Sequence, residues 1–221
     1  MATGYAIYAN RGRDVIPFAI RFVSDQDGNL ISNTEEEVGR AIAIKELNGS
    51  IQIISPQVAY IMTSMMQDVA SRGTAAGALR DAKFFKQSAG KTGTTSNWTD
   101  AWFCGYTPDI ATVVWVGYDK PFMSLGRHQS GSGLAAPIWA NYMREVYNGI
   151  PNPVFPARPS GIITSSVCRY TGLIPGPMCK EFSSDIGLPG SGAARQVCDG
   201  QHFRAKSVLD MYLEREGLTS R

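Results

Sequence analysis

The chain has 221 residues, 43% of them hydrophobic and 18% charged, with a formal net charge of +2. That length suffices for one domain with a buried core, and the near-neutral balance offers no basic stripe for nucleic acid. No apolar run reaches the roughly 18 residues of a spanning helix, and no signal peptide opens the chain.

Residues 2–10 read as a helix with Ala2, Tyr5, Ala6 and Ala9 on one face and Gly12 just past its end. Phe18–Val23 reads as a strand, and Asp25-Gln26-Asp27-Gly28-Asn29 turns it into a second short strand. Thr34-Glu35-Glu36-Glu37 is a capping-box signal, with acids at the positive end of a helix that runs to about Glu46 and stops at Asn48-Gly49. The clearest helix is 56–72. Ser55 is its N-cap, Pro56 its first residue, and Val58, Ile61, Met62, Met65, Met66 and Val69 form its expected core face. Those methionines read as core filling rather than as a promiscuous groove.

Strands follow at about 87–94, 101–107 and 111–118, the last two joined around Thr107-Pro108-Asp109 as an antiparallel pair. Trp102 and Trp115 are expected in the core. A helix over 137–147, opened by Pro137, should cover the sheet with Ile138, Tyr142, Met143 and Val146. Helices packed on an antiparallel sheet make an α+β domain, here assigned to residues 1–150. Pro151, Pro153, Pro156 and Pro159 then mark a linker or an extended wrap. Residues 151–221 read as that linker and a small Cys/Pro/Gly-rich extension, with a last helix over 204–216.

One run carries chemistry: Gly90-Lys91-Thr92-Gly93-Thr94-Thr95, directly ahead of Asp100-Ala101-Trp102-Phe103. On a strand, Lys91, Gly93 and Thr95 share one face while Thr92 and Thr94 share the other. Gly93 lets a ligand approach the backbone closely, and free strand N–H groups can bond an extended peptide or an oxyanion. An ammonium and several hydroxyls suit a substrate that ends in a carboxylate. A phosphate-binding loop is the rival reading of Gly90-Lys91-Thr92. It fails because the motif needs a glycine where Phe85 stands, and a helix where the turn-rich Thr95-Ser96-Asn97-Trp98-Thr99 stands.

Lys91-Thr92-Gly93-Thr94-Thr95, Asp100–Pro108 and Val114-Trp115-Val116-Gly117-Tyr118-Asp119 together resemble the third-motif region of a penicillin-binding transpeptidase. The nearest likeness is to the class A bifunctional peptidoglycan synthases. Ala9-Asn10-Arg11-Gly12 resembles that family's A-N-x-G helix end, Gly73-Thr74-Ala75 its G-T-A turn, and Ala135-Ala136-Pro137-Ile138-Trp139 the start of its last long helix. The resemblance spans about residues 2–148 and implies part of a serine β-lactamase/transpeptidase-like fold.

What it implies for chemistry is specific. Such enzymes combine a Ser-x-x-Lys nucleophile, a Ser-x-Asn motif and the Lys-Thr-Gly strand. Here there is no Ser-x-Asn, and the only Ser-x-x-Lys, Ser88-Ala89-Gly90-Lys91, overlaps the strand itself. The chain therefore looks like the C-terminal portion of such a domain, with no nucleophile of its own and inactive alone. Carried over, Lys91 supplies positive potential and the Thr94 backbone N–H is half of an oxyanion hole. Thr92, Gly93, Thr94 and, more weakly, Thr95 bind substrate. Peptidoglycan stem peptides, β-lactams and the upstream half of the same domain are the implied partners, with no cofactor. The implied location is the extracytoplasmic face of the bacterial membrane, reached through an anchor outside this sequence. A non-catalytic penicillin-binding-like sensor or binding domain is the alternative.

Of four cysteines, Cys104 reads as a buried thiol. In an extracytoplasmic protein a tail disulfide is expected, Cys179–Cys198 first and Cys168–Cys179 second. No C-x-x-C spacing is present, and His128 and His202 fit no ligand pattern, so no metal site is expected.

Overall fold

The computed structural model describes residues 1–120, 122–191 and 194–201, with backbone alone at 194 and 195. The helix expected over 204–216 lies outside them. The chain divides into two units, Met1–Pro159 and Ser160–Arg221.

Helix α1 (Ala2–Ala9) ends at Asn10, and Gly12 follows at φ +83°. A β-carbon on Gly12 would collide with the Ile54 carbonyl oxygen. Only glycine therefore lets the Gly12 carbonyl accept from Ile53 and Ile54 N–H at 2.9 and 3.1 Å. The first hairpin is shorter than expected: β1 is Phe22–Ser24 and pairs antiparallel with β2, Leu30–Asn33. Phe18 and Ile20 stay exposed and lie outside the pairing, which begins at Phe22. Helix α2 (Thr34–Leu47) is capped by Asn33 rather than Thr34. The Glu36 N–H donates to Asn33 Oδ1 at 3.2 Å, and Asn33 Nδ2 donates back to the Glu36 carboxylate at 3.3 Å. Thus the box is real but displaced by one residue.

Helix α3 (Pro56–Ser71) starts as expected, with Ser55 accepting from Val58 N–H. Its buried line is different: Ala59, Thr63, Met66 and Ala70 point inward, whereas Val58 and Met65 are exposed. Small residues at 59 and 70 bring the helix close to the sheet, and Thr63 buries its hydroxyl against Tyr106 OH at 2.9 Å. A short helix that the sequence reading passed over, α4 (Ala76–Asp81), follows and buries Leu79.

The sheet is β3 (Ala89–Thr94), β4 (Asp100–Tyr106) and β5 (Ala111–Gly117), antiparallel in that order. Gly93 pairs with Trp102, and Trp102 with Trp115. Alternation along β4 sorts the two faces. Phe103 packs on Trp139 of α5 (Ala136–Val146), while Tyr106 packs on Tyr5 of α1. The sheet thus lies between α1 and α3 on one side and α4 and α5 on the other, an α+β layering. Helix α5 buries Ala136, Trp139, Ala140 and Met143, and leaves Ile138 and Tyr142 half exposed, contrary to the expected face. Trp139 wins because the sheet opposite it is Gly105, where an added β-carbon would lie 2.6 Å from the indole. A glycine notch and a wholly buried tryptophan fit as one contact.

Trp102 and Trp115 are not core residues. Their rings lie 5.9 Å apart on an accessible part of the sheet, with Trp115 43% exposed. The expected linker stays with the first unit as far as Pro159, because Phe155 stacks edge-on against Tyr106 and its N–H bonds the Gln87 side chain at 3.0 Å.

In the second unit β6 (Ile163–Cys168) pairs antiparallel with β8 (Phe182–Gly187), and β7 (Leu173–Ile174) pairs parallel with β9 (Ala194–Val197). Its buried cluster is Cys168, Cys179 and Cys198, with Leu173 against it.

Candidate active site on the edge strand

Strand β3 is bonded to β4 alone within its sheet, so its outer edge, like that of β5 on the far side, can take an extended peptide as a further strand. Gly90 is buried against the Cys104 backbone and the Phe103 ring, which seats the strand. From Lys91 onward the strand becomes accessible.

Cross-strand partners share a face. Lys91 is opposite Cys104 and so lies on the α1/α3 side, whereas Thr92 and Thr94 lie opposite Phe103 and Ala101 on the other. The Lys91 ammonium donates to the Thr92 carbonyl at 2.9 Å. It also borders an open cleft of about 430 Å³ lined by Met1, Tyr5, Tyr8, Met62 and Met66. Apart from the lysine and the two tyrosines, the cleft's lining side chains are apolar.

The two hydroxyls are positioned by residues the sequence reading did not single out for the site. Thr92 Oγ1 lies 3.1 Å from Thr74 Oγ1, which joins the Gly73-Thr74-Ala75 turn to the strand. Thr94 Oγ1 accepts from the Gly131 N–H at 3.0 Å, so its own proton remains available to a ligand oxygen. Gly131 opens one turn of π-helix, Gly131–Ala135, and Ser130 caps it by accepting from Gly133 N–H. A β-carbon at Gly131 would strike the Trp102 and Gly93 carbonyl oxygens. The Ser130-Gly131-Ser132-Gly133 spacing was the available signal for this turn, which presses directly on the end of β3.

Thr95 lies beyond the strand, in the turn to β4. Its hydroxyl accepts from Thr99 N–H at 3.0 Å and Asp100 N–H at 2.9 Å, and bonds the Thr99 hydroxyl. These bonds close the turn. Asp100 accepts from Trp115 Nε1 at 2.9 Å and from the Thr99 hydroxyl at 2.8 Å. Those bonds, the indole's first, hold its carboxyl below the ordinary aspartate range. Gly93 sits over Trp102, with room for a β-carbon only 3.2 Å from that residue's own.

Ser88 is buried and borders a cavity with Gln67, Leu79, Phe84 and Phe85, while Lys91 borders the cleft beside α1. Serine and lysine therefore open onto different spaces, the geometry opposite to that of a nucleophile beside its base. Cys104 is buried beside Tyr5 with its thiol pushed up by desolvation, as an inert core thiol should be.

A three-stranded antiparallel sheet, helices on both faces and a Lys-Thr-Gly edge strand define the serine β-lactamase/transpeptidase class of fold. Penicillin-Binding Protein 1A from Haemophilus influenzae superposes with a TM-score of 0.69 over 88% of this chain and 32% of that one, at 23% identity. PonA1 from Mycobacterium tuberculosis gives 0.57 over 72% of this chain and 40% of that one, at 30% identity.

The penicillin binding protein transpeptidase domain model matches residues 1–144, and the chain belongs to that family. Penicillin-binding protein 1A of Neisseria lactamica is 37% identical over 89% of the chain and 23% of its own length. That of Aquifex aeolicus is 34% identical over 75% of the chain and 20% of its own length. The chain thus spans about a quarter of the length of the curated relatives it matches. Among the described residues no helix is long and apolar enough to cross a membrane.

Proposed function

We propose that this chain forms the Lys-Thr-Gly side of a peptidoglycan D-alanyl-D-alanine transpeptidase site, completed by a serine from a segment outside the 221 residues. The observation that carries this reading is the position of Lys91. It sits on an open sheet edge, at the mouth of an apolar cleft that holds no serine or second lysine among its lining residues.

In the assembled site a stem peptide lies along β3. The Thr94 hydroxyl, its acceptor side already occupied by Gly131 N–H, donates to the terminal carboxylate, and Thr92 adds a second hydroxyl. Lys91 raises the positive potential there. The serine Oγ attacks the penultimate D-Ala carbonyl, and the Thr94 backbone N–H supports the oxyanion; one such donor is worth about 3–4 kcal/mol in the transition state. The C–N bond to the last D-Ala breaks, and that D-Ala leaves as the amine carrying the transferred proton. An amine of a neighbouring stem then attacks the ester and returns the serine. β-Lactams enter the same path and stop at the ester.

The segment that brings the serine seats in the cleft bordered by Met1, Tyr5, Tyr8 and Met62. The exposed Val58 and Met65 of α3 are unpartnered apolar side chains that such a segment would cover. Because the stem peptides lie outside the cytoplasmic membrane, the site works on that side.

Intact-mass measurement after incubation with a labelled penicillin tests this. The chain alone should form no covalent adduct. Co-expressed with the preceding half of a close relative's domain, the complex should form a stoichiometric adduct on the added half, lost on Lys91→Ala. An adduct on this chain alone, with Ser88 the first suspect, would overturn the reading. So would a complex that binds penicillin only reversibly, the behaviour of a sensor domain.

A further inference from the structure

Among its described residues, the second unit is nearly without a hydrocarbon core. Its buried apolar side chains among the described residues are Ile162, Val167 and three cysteines, Cys168, Cys179 and Cys198. A module this small needs a staple beyond apolar burial.

Three separate pieces of backbone deliver the sulfurs. Cys168 ends β6, Cys179 lies in the turn between β7 and β8, and Cys198 directly follows β9. The β7–β9 pairing continues into a bond from the Cys198 N–H to the Ile174 carbonyl at 2.8 Å. Gly176 then passes so close to the Cys198 carbonyl oxygen that no β-carbon fits. That approach presses the Cys179 turn onto Cys198. The result is three buried thiols whose sulfur atoms all lie within 4.8 Å of one another. Cys179 bonds to both of the other sulfurs, and the Tyr170 and Thr171 N–H groups and the Thr171 hydroxyl bond to the Cys168 sulfur.

We propose that Cys168, Cys179 and Cys198 bind one thiophilic divalent metal ion of the zinc class, which holds the second unit together. Three thiols within 4.8 Å suit this better than the disulfide expected from the sequence. A disulfide joins two sulfurs and leaves the third as a buried thiol against it, positioned to exchange. A tetrahedral site with metal–sulfur bonds of about 2.3 Å places its sulfurs about 3.8 Å apart, a contraction of about 1 Å or less from the observed spacing. Backbone N–H groups aimed at a sulfur are what a thiolate ligand needs around it. Binding converts three thiols to thiolates and releases their three protons. The fourth position belongs to water or a further residue.

The test uses the whole chain, purified under reducing conditions, with zinc as the probe. Elemental analysis should find about one zinc per chain, and Cys168→Ser, Cys179→Ser and Cys198→Ser should each remove at least nine-tenths of it. Cys104→Ser, in the first unit, should retain it. Because the serine variants could simply misfold, cobalt replacement in the unaltered chain gives an independent reading. A thiolate-to-cobalt charge-transfer band with the intense visible bands of a tetrahedral ion should appear at one equivalent and vanish with excess zinc. Less than a tenth of an equivalent of zinc with all thiols titratable, octahedral cobalt, or a chain isolated two mass units light with a Cys179–Cys198 cross-link would overturn the proposal.

Discussion

At the level of single residues, glycines and hydroxyls around Lys91 seat the edge strand. Gly131 touches the backbone of both β3 and β4 and donates to Thr94. Gly131→Ala should therefore lower stability by about 1–3 kcal/mol through overpacking, measured by urea denaturation, and a neutral result would mean that the turn does not press on the strand. Asp100 makes a pH-dependent contact. Its folded value is depressed by the Trp115 and Thr99 bonds, so their contribution is present above the ordinary value of about 3.9 and lost as pH falls through the lower one. Tryptophan fluorescence should show an acid transition below about pH 4 that Asp100→Asn abolishes. An unchanged transition in that variant would exclude Asp100 as its source. Lys91, Thr92 and Thr94 could be read directly from their motif. The bonds of Thr74 to Thr92 and of Gly131 to Thr94 could not, because both residues reach the strand from distant positions, and the Gly73-Thr74-Ala75 and Ser130–Gly133 turns do not name their partners.

At the level of elements, the positions of β3, β4 and β5 were legible to within two residues because turn residues delimit them, while β1 begins four residues later than expected and β6–β9 were not legible. Helix faces were less so. Periodicity gives a stripe but not the side that meets the sheet, and in α3 the inward line is Ala59, Thr63, Met66 and Ala70. Met66→Ala should cost about 2–5 kcal/mol and Met65→Ala under about 0.5. Equal costs in thermal denaturation would contradict the assigned face. For α5 the same ambiguity was resolved by Gly105, which leaves room for Trp139.

Across the whole molecule, cohesion is uneven. The β3–β5 sheet and α5 contain the large, fully buried side chains Phe103, Tyr106, Trp139 and Met143. Helix α2 and the β1–β2 hairpin bury none, and α2 is tied to its surroundings by polar contacts that include the Lys45–Asp14, Arg13–Glu46 and Arg21–Glu35 pairs. Hydrogen exchange should therefore show residues 22–47 opening far more readily than 100–117. Equal protection would mean that α2 belongs to the same cooperative unit. The family, the main helices and strands of residues 2–147 and the Lys-Thr-Gly strand were legible in the sequence alone, since motifs, caps and turns act over a few residues, whereas α4, the π-helical turn and the strands of the second unit were not. Which helix faces are buried, what bonds Thr94, which cavity Ser88 borders and how three cysteines 11 and 19 positions apart come to share one point were decided only by the tertiary structure. Each depends on contacts between segments distant in sequence, which local spacing does not encode.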